Sequence, residues 1–520
     1  MKIILNKTSS TYLLITLILA VVFSCREKDD PANGKVNVVI TGLELLDPLT
    51  YPSARLNNES TWKHKFENKL ALTFESGTGE KFVLEINPNN FSKPYSLALP
   101  VGNYDLIGSS ITTDSFTQLS LRIAQKLAIN SADQKIIIRA TSDFGLFTIT
   151  NENLGTAQPE DLSSNRKLEL NGKFYYRYAL VDTDSPIKIP LANGNNSFNL
   201  NWKPKPFAHR HLSLDNPTDP NDVATFIPTD FAIDQSQLLL SEKGLPFALS
   251  PTILAELPNS QNETSGLAFI QGRLFSINDG GNTNEIFELN PTTGLVIRTI
   301  KVSNATNHDW EELAQSDTHL FIGDFGNNNG TRKDLAVLKI PISSVLGSTE
   351  VLAEELRFSF ADQTDFSGNG GLHNYDCEAF FFSNNLLHLF TKNRGDQKTN
   401  HYTLNTSQSN SLAALIDSFD VKGLITAAGI DSQGNICLLG YEDAGFASRS
   451  FVWLFSSYSG TNYLSGKSTR IFLGSPSLLS QTEGLIFEEN GQVMISGERI
   501  SVGGLTIPAK LSKIDLRGLF

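Results

Sequence analysis

The sequence predicts an all-β protein, with one or two N-terminal β-sandwich domains followed by a five- or six-bladed β-propeller. Short runs that alternate apolar and polar residues recur along the chain, and Gly-, Asn- and Asp-rich turns separate them. In the C-terminal half, a unit of three or four strands repeats every 45–65 residues or so, roughly as propeller blades do. In the N-terminal half, only residues 116–129 are a candidate helix.

The length of the chain indicates more than one domain, because 520 residues exceed what one hydrophobic core supports. We predict a lipoprotein signal peptide, a tether, a β-sandwich of immunoglobulin-like or transthyretin-like type, a second β domain or an extension of the first, and a propeller. Their boundaries are 1–24, 25–35, 36–150, 151–245 and 246–520. The strand pattern leaves open whether Leu168 to Leu240 is a separate domain.

Composition and charge exclude some classes of function. The formal net charge is −13 and no basic stripe is present, so nucleic acid is not an expected partner. The chain has 3 cysteines, too few for a disulfide framework. Cys377 and Cys437 lie in apolar strands and are expected to be buried thiols.

The N-terminus predicts a lipid anchor. Lys2 and Lys7 precede an apolar run over residues 12–23, which has the length of a signal-peptide core and is too short to span a bilayer. The following Cys25 completes a sequence that resembles a bacterial lipobox. Residues 26–30 then resemble the surface-export signal of Bacteroidetes lipoproteins, with a merely solvated tether as the alternative. We therefore expect an outer-membrane lipoprotein that is exposed at the cell surface and partnered with the membrane through its lipid.

Each C-terminal repeat begins with a buried strand. We aligned the repeats on the starts of these strands, which are Ser265, Glu311, Glu378, Ala428 and Glu483. A propeller removes its open edge by adding an N-terminal strand to its last blade, and Thr252 to Leu257 fits that position. This count gives five blades, and six would require a further blade within residues 343–371.

First-strand starts and second-strand ends lie on one face of a propeller, so their side chains should meet at the mouth of its channel. The predicted metal ligands are Glu311, Glu378, Glu483, Asp324 and Asp279. Carboxylates gathered in one place repel each other unless a cation intervenes, and their hard oxygens suit Ca2+. The alternative is architectural: the repeated glutamates would accept hydrogen bonds from backbone amides of neighbouring blades.

Further residues near the mouth are predicted to bind a ligand. They are Arg394, Arg499, Lys392, Glu442, Glu498, Trp310 and Tyr441. The cations could pair with the carboxylates or hold an anionic ligand, and exposed aromatic rings would favour binding over catalysis.

Histidines offer two further sites. His209 and His211 would point to one face of a strand, as metal ligands or as a surface or core pair. His308 and His373 flank the starts of first strands. They would act as general bases near a metal, or they would be plain surface residues.

The segments ETSGLAF (263–269), LFSIND (274–279) and FELNPTTGLVIRTI (287–300) resemble the bacterial propellers of the SdiA-regulated family and of the esterase-like-phytase family. The resemblance extends from Glu263 to the C-terminus. The elements DWEELA and GDFGNN are similar to those of Bacteroidetes surface lipoproteins. In phytase-type propellers acidic clusters hold Ca2+ that binds phosphate. The resemblance therefore implies ligands at Glu311, Glu378, Glu483 and Asp324, and phosphate partners at Arg394 and Arg499; the glutamate is missing at Ser265 and Ala428.

These observations predict a surface lipoprotein whose propeller mouth binds an extracellular glycan, protein or small ligand, with Ca2+. The alternative is a Ca2+-dependent phosphoesterase or lactonase-like hydrolase at the same face, because propellers host both kinds of function. The chain contains no GxSxG elbow, P-loop, dinucleotide fingerprint, HExxH or CxxC motif. Whether the protein is an enzyme is left open at this point.

Overall fold

The computed structural model describes residues 34–45, 62–110, 114–192, 196–215, 231–241 and 243–520. In these ranges the chain forms 39 strands and two short α-helices, so the all-β prediction is confirmed. None of the helices found there is long and apolar enough to cross a membrane. The predicted signal peptide and the lipidation site Cys25 lie outside the described residues, and both stay predictions.

Seven strands form one curled sheet at the N-terminal end of the described chain. They are β1 (Lys35–Leu45), β2 (Leu70–Ser76), β3 (Lys81–Ile86), β4 (Tyr95–Pro100), β5 (Gly102–Ser110), β6 (Leu121–Ile129) and β7 (Gln134–Thr141). Their order is β3-β2-β5-β6-β7-β1-β4, and the edge strands β3 and β4 contact each other. The sheet thus curls toward closure around one apolar core, and the sandwich predicted for this part is not confirmed.

The prediction of a helix over residues 116–129 is wrong. Its second half is β6, along which Leu121 and Ile123 are buried while Arg122 and Ala124 are exposed. The residues that fit a helical stripe here also fit the period-two alternation of a strand. Pairing of β6 with β5 and β7 decides between the two, and that pairing is a tertiary effect.

Nine strands form the next two sheets. They are β8 (Phe144–Thr150), β9 (Glu160–Asp161), β10 (Arg166–Lys167), β11 (Glu169–Asn171), β12 (Phe174–Leu180), β13 (Ile187–Pro190), β14 (Ser197–Leu200), β15 (Ala208–Asp215) and β16 (Ala232–Leu239). The sheet orders are β11-β12-β8-β15-β16 and β10-β9-β13-β14. β8 falls within the range predicted for the first domain, yet it pairs with β12 and β15.

The two histidines of β15 face the interior. His209 and His211 are both buried, and both hydrogen-bond the Thr148 hydroxyl, at 2.6 and 2.7 Å. Burial lowers the pKa of His209 well below its usual value, so the ring stays neutral. The two side chains share one face of the strand, as predicted. They form a buried core pair, which is one of the alternatives stated for them.

The remaining strands form a ring of five four- or five-stranded sheets, two of which are joined at their outer edges, and a separate two-stranded hairpin. They are β17 (Thr252–Glu256), β18 (Thr264–Ile270), β19 (Arg273–Asn278), β20 (Glu285–Leu289), β21 (Val296–Val302), β22 (Trp310–Gln315), β23 (His319–Asp324), β24 (Ala336–Pro341), β25 (Glu350–Val351), β26 (Glu354–Phe360), β27 (Cys377–Ser383), β28 (Leu386–Thr391), β29 (Thr399–Asn405), β30 (Ser411–Phe419), β31 (Leu424–Ile430), β32 (Ile436–Tyr441), β33 (Ser450–Ser456), β34 (Lys467–Gly474), β35 (Gln481–Phe487), β36 (Val493–Glu498), β37 (Ile500–Val502), β38 (Leu505–Ile507) and β39 (Lys510–Ile514). The helices are α1 (Ile342–Gly347) and α2 (Pro476–Leu479).

We number the ring sheets 1 to 5 by their first strands β18, β22, β27, β31 and β35. Each first strand contacts the next, and β35 contacts β18, so the five first strands enclose a common axis. Ring sheet 5 has the order β17-β39-β36-β35. The predicted closing strand is therefore confirmed: β17 pairs with β39, the last strand of the chain.

The insert over residues 343–371 adds strands to existing sheets. Its strand β25 pairs with β21 at the edge of ring sheet 1, and β26 pairs with β24 in ring sheet 2. β26 also pairs in parallel with β30, which joins ring sheets 2 and 3 along their outer edges. No further sheet arises from this insert in the described part of the chain.

Every first strand carries a β-bulge at the same place. The pairing with the second strand shifts between Thr264 and Leu267, Trp310 and Glu312, Cys377 and Ala379, Ile425 and Ala427, and Thr482 and Gly484. One extra residue therefore protrudes from each ladder. These residues include Glu311, Glu378 and Glu483, and in ring sheet 4 the residue is Thr426. The alignment on Ala428 is wrong by two residues, because a bulge depends on partner register that sequence spacing does not reveal.

Glu312, the residue after the bulge in ring sheet 2, is the architectural glutamate of the ring. It is fully buried, and its Oε1 accepts hydrogen bonds from the amides of Leu267, at 3.0 Å, and Leu313, at 2.9 Å. Burial raises its pKa well above the usual value, against the backbone hydrogen bonds it accepts. The expected capping of neighbouring sheets thus occurs, with Glu312 in place of the aligned glutamates.

Candidate metal and ligand site

The end of the ring that carries the bulges, which we call the mouth, holds a cluster of three carboxylates. One oxygen from each of Asp279, Asp309 and Glu311 lies within 4.8 Å of the others. Asp279 follows the end of β19, Asp309 precedes β22, and Glu311 is the bulged residue of β22. The bulge brings the third carboxylate to the other two.

Two of these carboxylates lack partners. Glu311 is 4% exposed, and neither its carboxylate nor that of Asp309 makes a hydrogen bond or an ion pair with the described residues. Among the described residues, only the neighbouring amide of Gly280 donates a hydrogen bond to the Asp279 carboxylate. Buried charges are normally paired or bind a metal, so the cluster is short of positive charge.

Glycines make room for the cluster. A Cβ on Gly326 would overlap Glu311 Oε1 and lie 2.5 Å from Asp309 Oδ2. A Cβ on Gly280 would overlap Asp309 Oδ1. Neither glycine has a positive φ, so close approach of the carboxylates, and not backbone conformation, excludes a side chain at both positions.

The pKa values reflect this crowding. Burial, with smaller contributions from neighbouring carboxylates, raises the pKa of Asp279 and of Asp309 to about 6. Burial first, and then Glu378 and Asp279, raise the pKa of Glu311 well above its usual value. A bound cation would reverse these shifts, because an opposite charge favours the ionised form.

Replacing Gly326 with alanine is expected to displace the carboxylates of Glu311 and Asp309 and to weaken binding of a cation by at least about tenfold. The measurement is a calorimetric Ca2+ titration of the purified protein. Gly347→Ala is the matched control, since a Cβ there meets nothing within 4 Å. Equal affinities for the two variants would show that the cluster does not bind the ion.

Asp324, a predicted ligand, is already paired. Its carboxylate binds Arg332, at 3.0 Å, and the amide of Asp309, at 3.2 Å. It also lies 3.1 Å from His308 Nδ1. Asp324 therefore stands behind the cluster, where it fixes the backbone of Asp309 and orients the exposed His308 ring.

Glu378 and two predicted ligand-binding cations form a buried network. Lys392 Nζ lies 3.2 Å from Glu378 Oε2, and Arg394 bonds Asp376 at 3.1 Å. Burial would lower the pKa of Lys392, but Glu378, Tyr441 and Glu483 keep it well above its usual value. These cations neutralise their own side of the mouth, so the excess negative charge concentrates at Asp279, Asp309 and Glu311.

Glu483 and Glu498 share one donor. Gln481 Nε2 donates to Glu483 Oε1, at 2.6 Å, and to Glu498 Oε1, at 2.7 Å. Burial and then Glu483 raise the pKa of Glu498 to about 9, so one proton stays on this pair near neutral pH. Neither residue belongs to the three-carboxylate cluster.

The other predicted ligand-binding residues lie in varied places. Trp310 is fully buried in the core between ring sheets 1 and 2, so its prediction as an exposed binding ring is wrong. It precedes the bulge and pairs with Asp324, which turns its side chain inward. Tyr441 is half-buried, and Lys392 Nζ lies 5.5 Å from its ring centre. Glu442 pairs with Arg449 at 2.9 Å, and Arg499 is exposed.

Asp309 is the cluster residue that the alignment of repeats omitted. It lies just before β22, at neither of the two positions from which ligands were predicted, the first-strand start and the end of the second strand. Its spacing of two from Glu311 is the signal that could have identified it, because residues two apart share a face in extended chain.

Comparisons with known proteins add little. No family model and no curated protein matches the chain. A gluconolactonase from Xanthomonas campestris is 12% identical with a TM-score of 0.28, over 72% of this chain and 89% of its own. A mannose phosphorylase from Leishmania mexicana is 9% identical with a TM-score of 0.29, over 51% and 87%. A Bacteroides thetaiotaomicron protein described as polysaccharide-binding is 9% identical with a TM-score of 0.22, over 47% and 98%. Similarities this low carry no conclusion about function.

Proposed function

We propose that the five ring sheets form a five-bladed β-propeller whose mouth holds Ca2+ and, through it, binds an extracellular ligand. The observation that carries this proposal is the pair of unpartnered carboxylates of Asp309 and Glu311, held within 4.8 Å of Asp279. Three carboxylates around one point repel each other unless they are protonated or a cation lies between them.

The ligand set favours calcium. Ca2+ takes six to eight oxygen ligands in flexible geometry, and three carboxylates supply about half of them. The remaining positions would go to water or to oxygens of a ligand that approaches from the open end of the ring. A nitrogen- or sulfur-preferring metal is disfavoured, because no His or Cys belongs to the group.

The rest of the chain would serve presentation at the cell surface. Lipidation at Cys25 would anchor it in the outer membrane, and the N-terminal sheets would act as a spacer between the membrane and the propeller. The ligand would be an extracellular glycan, protein or small molecule, and nucleic acid is disfavoured by the net charge of −13.

The test is a calorimetric Ca2+ titration of the mature chain after chelation. We expect the wild type to bind and Asp309→Asn/Glu311→Gln to bind at least about 100-fold more weakly. Glu442→Gln is the control, because Glu442 pairs with Arg449 and is not part of the cluster. Absence of binding by the wild type, or equal binding by the double variant, would refute the proposal.

A Ca2+-dependent phosphoesterase or lactonase-like hydrolase is the second candidate, and His308 favours it. Its Nδ1 lies 3.1 Å from Asp324 Oδ2, which leaves Nε2 as the free ring nitrogen of a side chain that is 59% exposed. A carboxylate that orients an imidazole beside a metal is an arrangement suited to general-base catalysis. The test is hydrolysis of an aryl phosphate and an aryl lactone by wild type and His308→Gln. Turnover that the variant loses while it still binds Ca2+ would establish the hydrolase.

A further inference from the structure

A cleft of about 240 Å³ opens at the mouth between ring sheets 4 and 5. Tyr441, at the end of β32, lines one side, and Thr482, directly before the bulge of β35, lines the other. The cleft therefore opens at the same end of the ring as the carboxylate cluster. Its volume is below the roughly 300 Å³ at which pockets for drug-sized ligands begin, and it suits one small unit of a larger ligand.

Polar side chains line the cleft. They come from Ser448 and Ser450 in ring sheet 4 and from Ser480 and Thr482 in ring sheet 5. The hydroxyls of Ser450 and Thr482 hydrogen-bond each other, at 3.1 Å, and link the two ring sheets. The Ser448 hydroxyl accepts a hydrogen bond from the Ala444 amide, at 3.1 Å, and keeps its own proton to donate, so it suits a ligand that carries hydroxyls.

The outer wall is apolar and is a special feature of ring sheet 5. Ile500 and Val502 lie on the β37–β38 hairpin, which is inserted between the second and third strands of the sheet. The other four ring sheets join these strands by loops without strands of their own in the described chain. Val502 is 52% exposed, and Tyr441 adds an aromatic ring on the opposite wall. Sugar rings have C–H faces that pack on such side chains.

An amide and a carboxylate complete the polar lining. Gln481 lines the cleft, and hydrogen bonds from its Nε2 to Glu483 and Glu498 hold its side-chain amide in place. Asp443 adds an exposed carboxylate. Amide and carboxylate oxygens accept hydrogen bonds from ligand hydroxyls.

An independent observation is backbone strain at the cleft. Ser480 has φ 66° and ψ −160°, a region that essentially only glycine adopts. Strain of this kind is costly and persists mainly at sites with a function. Here the conformation is held by a hydrogen bond from the Ser480 hydroxyl to Pro508 O, at 2.6 Å.

We infer that the cleft between ring sheets 4 and 5 is the subsite for one neutral sugar unit of the extracellular ligand. This inference rests on the proposed function of the mouth and specifies the ligand as a glycan. The Ser448 hydroxyl, the Gln481 amide and the Asp443 carboxylate bind the O–H groups of the sugar, and the hairpin packs against its C–H face.

The test is binding of methyl glycosides of glucose, galactose, mannose and N-acetylglucosamine to the mature chain, by saturation-transfer NMR at millimolar sugar. We expect Val502→Trp to fill the cleft and to reduce binding of the preferred glycoside by at least about tenfold. Thr506→Trp is the matched control: it lies on the same hairpin, and its pairing with Ser501 places it on the other face. The control should bind as the wild type does.

A second variant controls for misfolding of the hairpin in Val502→Trp. Gln481→Leu keeps the side-chain size but removes the shared donor, and it should also weaken glycoside binding while the melting temperature shows that the protein is folded. Binding of no glycoside by the wild type, or undiminished binding by both variants, would overturn the subsite. A calorimetric Ca2+ titration distinguishes failure of the subsite from failure of the proposed function. Val502→Trp should bind Ca2+ as the wild type does. A wild type that does not bind Ca2+ refutes the proposed function itself.

Discussion

Lys392→Met is expected to destabilise the protein by about 3–5 kcal/mol, because it leaves a buried carboxylate without its main partner. The side chains of Lys392 and Glu378 are 5% and 4% exposed, and Lys392 Nζ lies 3.2 Å from Glu378 Oε2. Arg394 lies 3.8 Å from Glu378 and compensates in part. The measurement is urea unfolding followed by tryptophan fluorescence at neutral pH.

The double variant Lys392→Met/Glu378→Gln is the control for this mechanism. Removing both charges also removes the penalty for an unpaired buried carboxylate, so the double variant should be more stable than Lys392→Met. If Lys392→Met alone lowers the free energy of unfolding by less than about 1 kcal/mol, which is typical of exposed ion pairs, then the Lys392–Glu378 pair does not stabilise the ring.

Without Ca2+, the melting temperature is expected to fall by roughly 5 °C as the pH rises from 5 to 8. In the folded chain Asp279 and Asp309 have a pKa of about 6, above the usual aspartate value of 3.8. Between these values the folded chain binds more protons than the unfolded chain, so stability is lost as the pH rises through about 6. Differential scanning calorimetry at fixed ionic strength measures the change.

Added Ca2+ should reverse this loss, and its stabilising effect should be larger at pH 8 than at pH 5, because protons compete with the ion for the same oxygens. The control is Asp279→Asn/Asp309→Asn/Glu311→Gln, which should lose most of both effects. Equal stabilisation of wild type and triple variant by Ca2+ would place the ion elsewhere.

Much of the ring could be predicted from local sequence. Alternating strands, turn residues and the repeat spacing gave five first strands, and they gave the closing strand that pairs with Lys510–Ile514. These features depend on periodicity within a few residues, which a single sequence contains.

The site was predicted less completely, because bulges decide it. Five bulges set which residue of each first strand faces the mouth, and they depend on pairing with the second strand. For that reason Thr426 takes the position assigned to Ala428, and Trp310 lies in the core. Asp279 and Glu311 were among the predicted ligands, whereas Asp309 was not, because it lies at neither a first-strand start nor a second-strand end.

The closure of the ring also determines how the molecule carries tension. A force applied to the chain through the N-terminal sheets reaches the ring just ahead of the closing strand β17. There Phe247 accepts a hydrogen bond from the Phe472 amide, at 3.0 Å, and the Leu249 amide donates to Phe472 O, at 2.8 Å. These bonds to ring sheet 4 are loaded before the pairing of β17 with β39. The seam between β17 and β39 is therefore shielded from a pull along the chain by the sheet next to it.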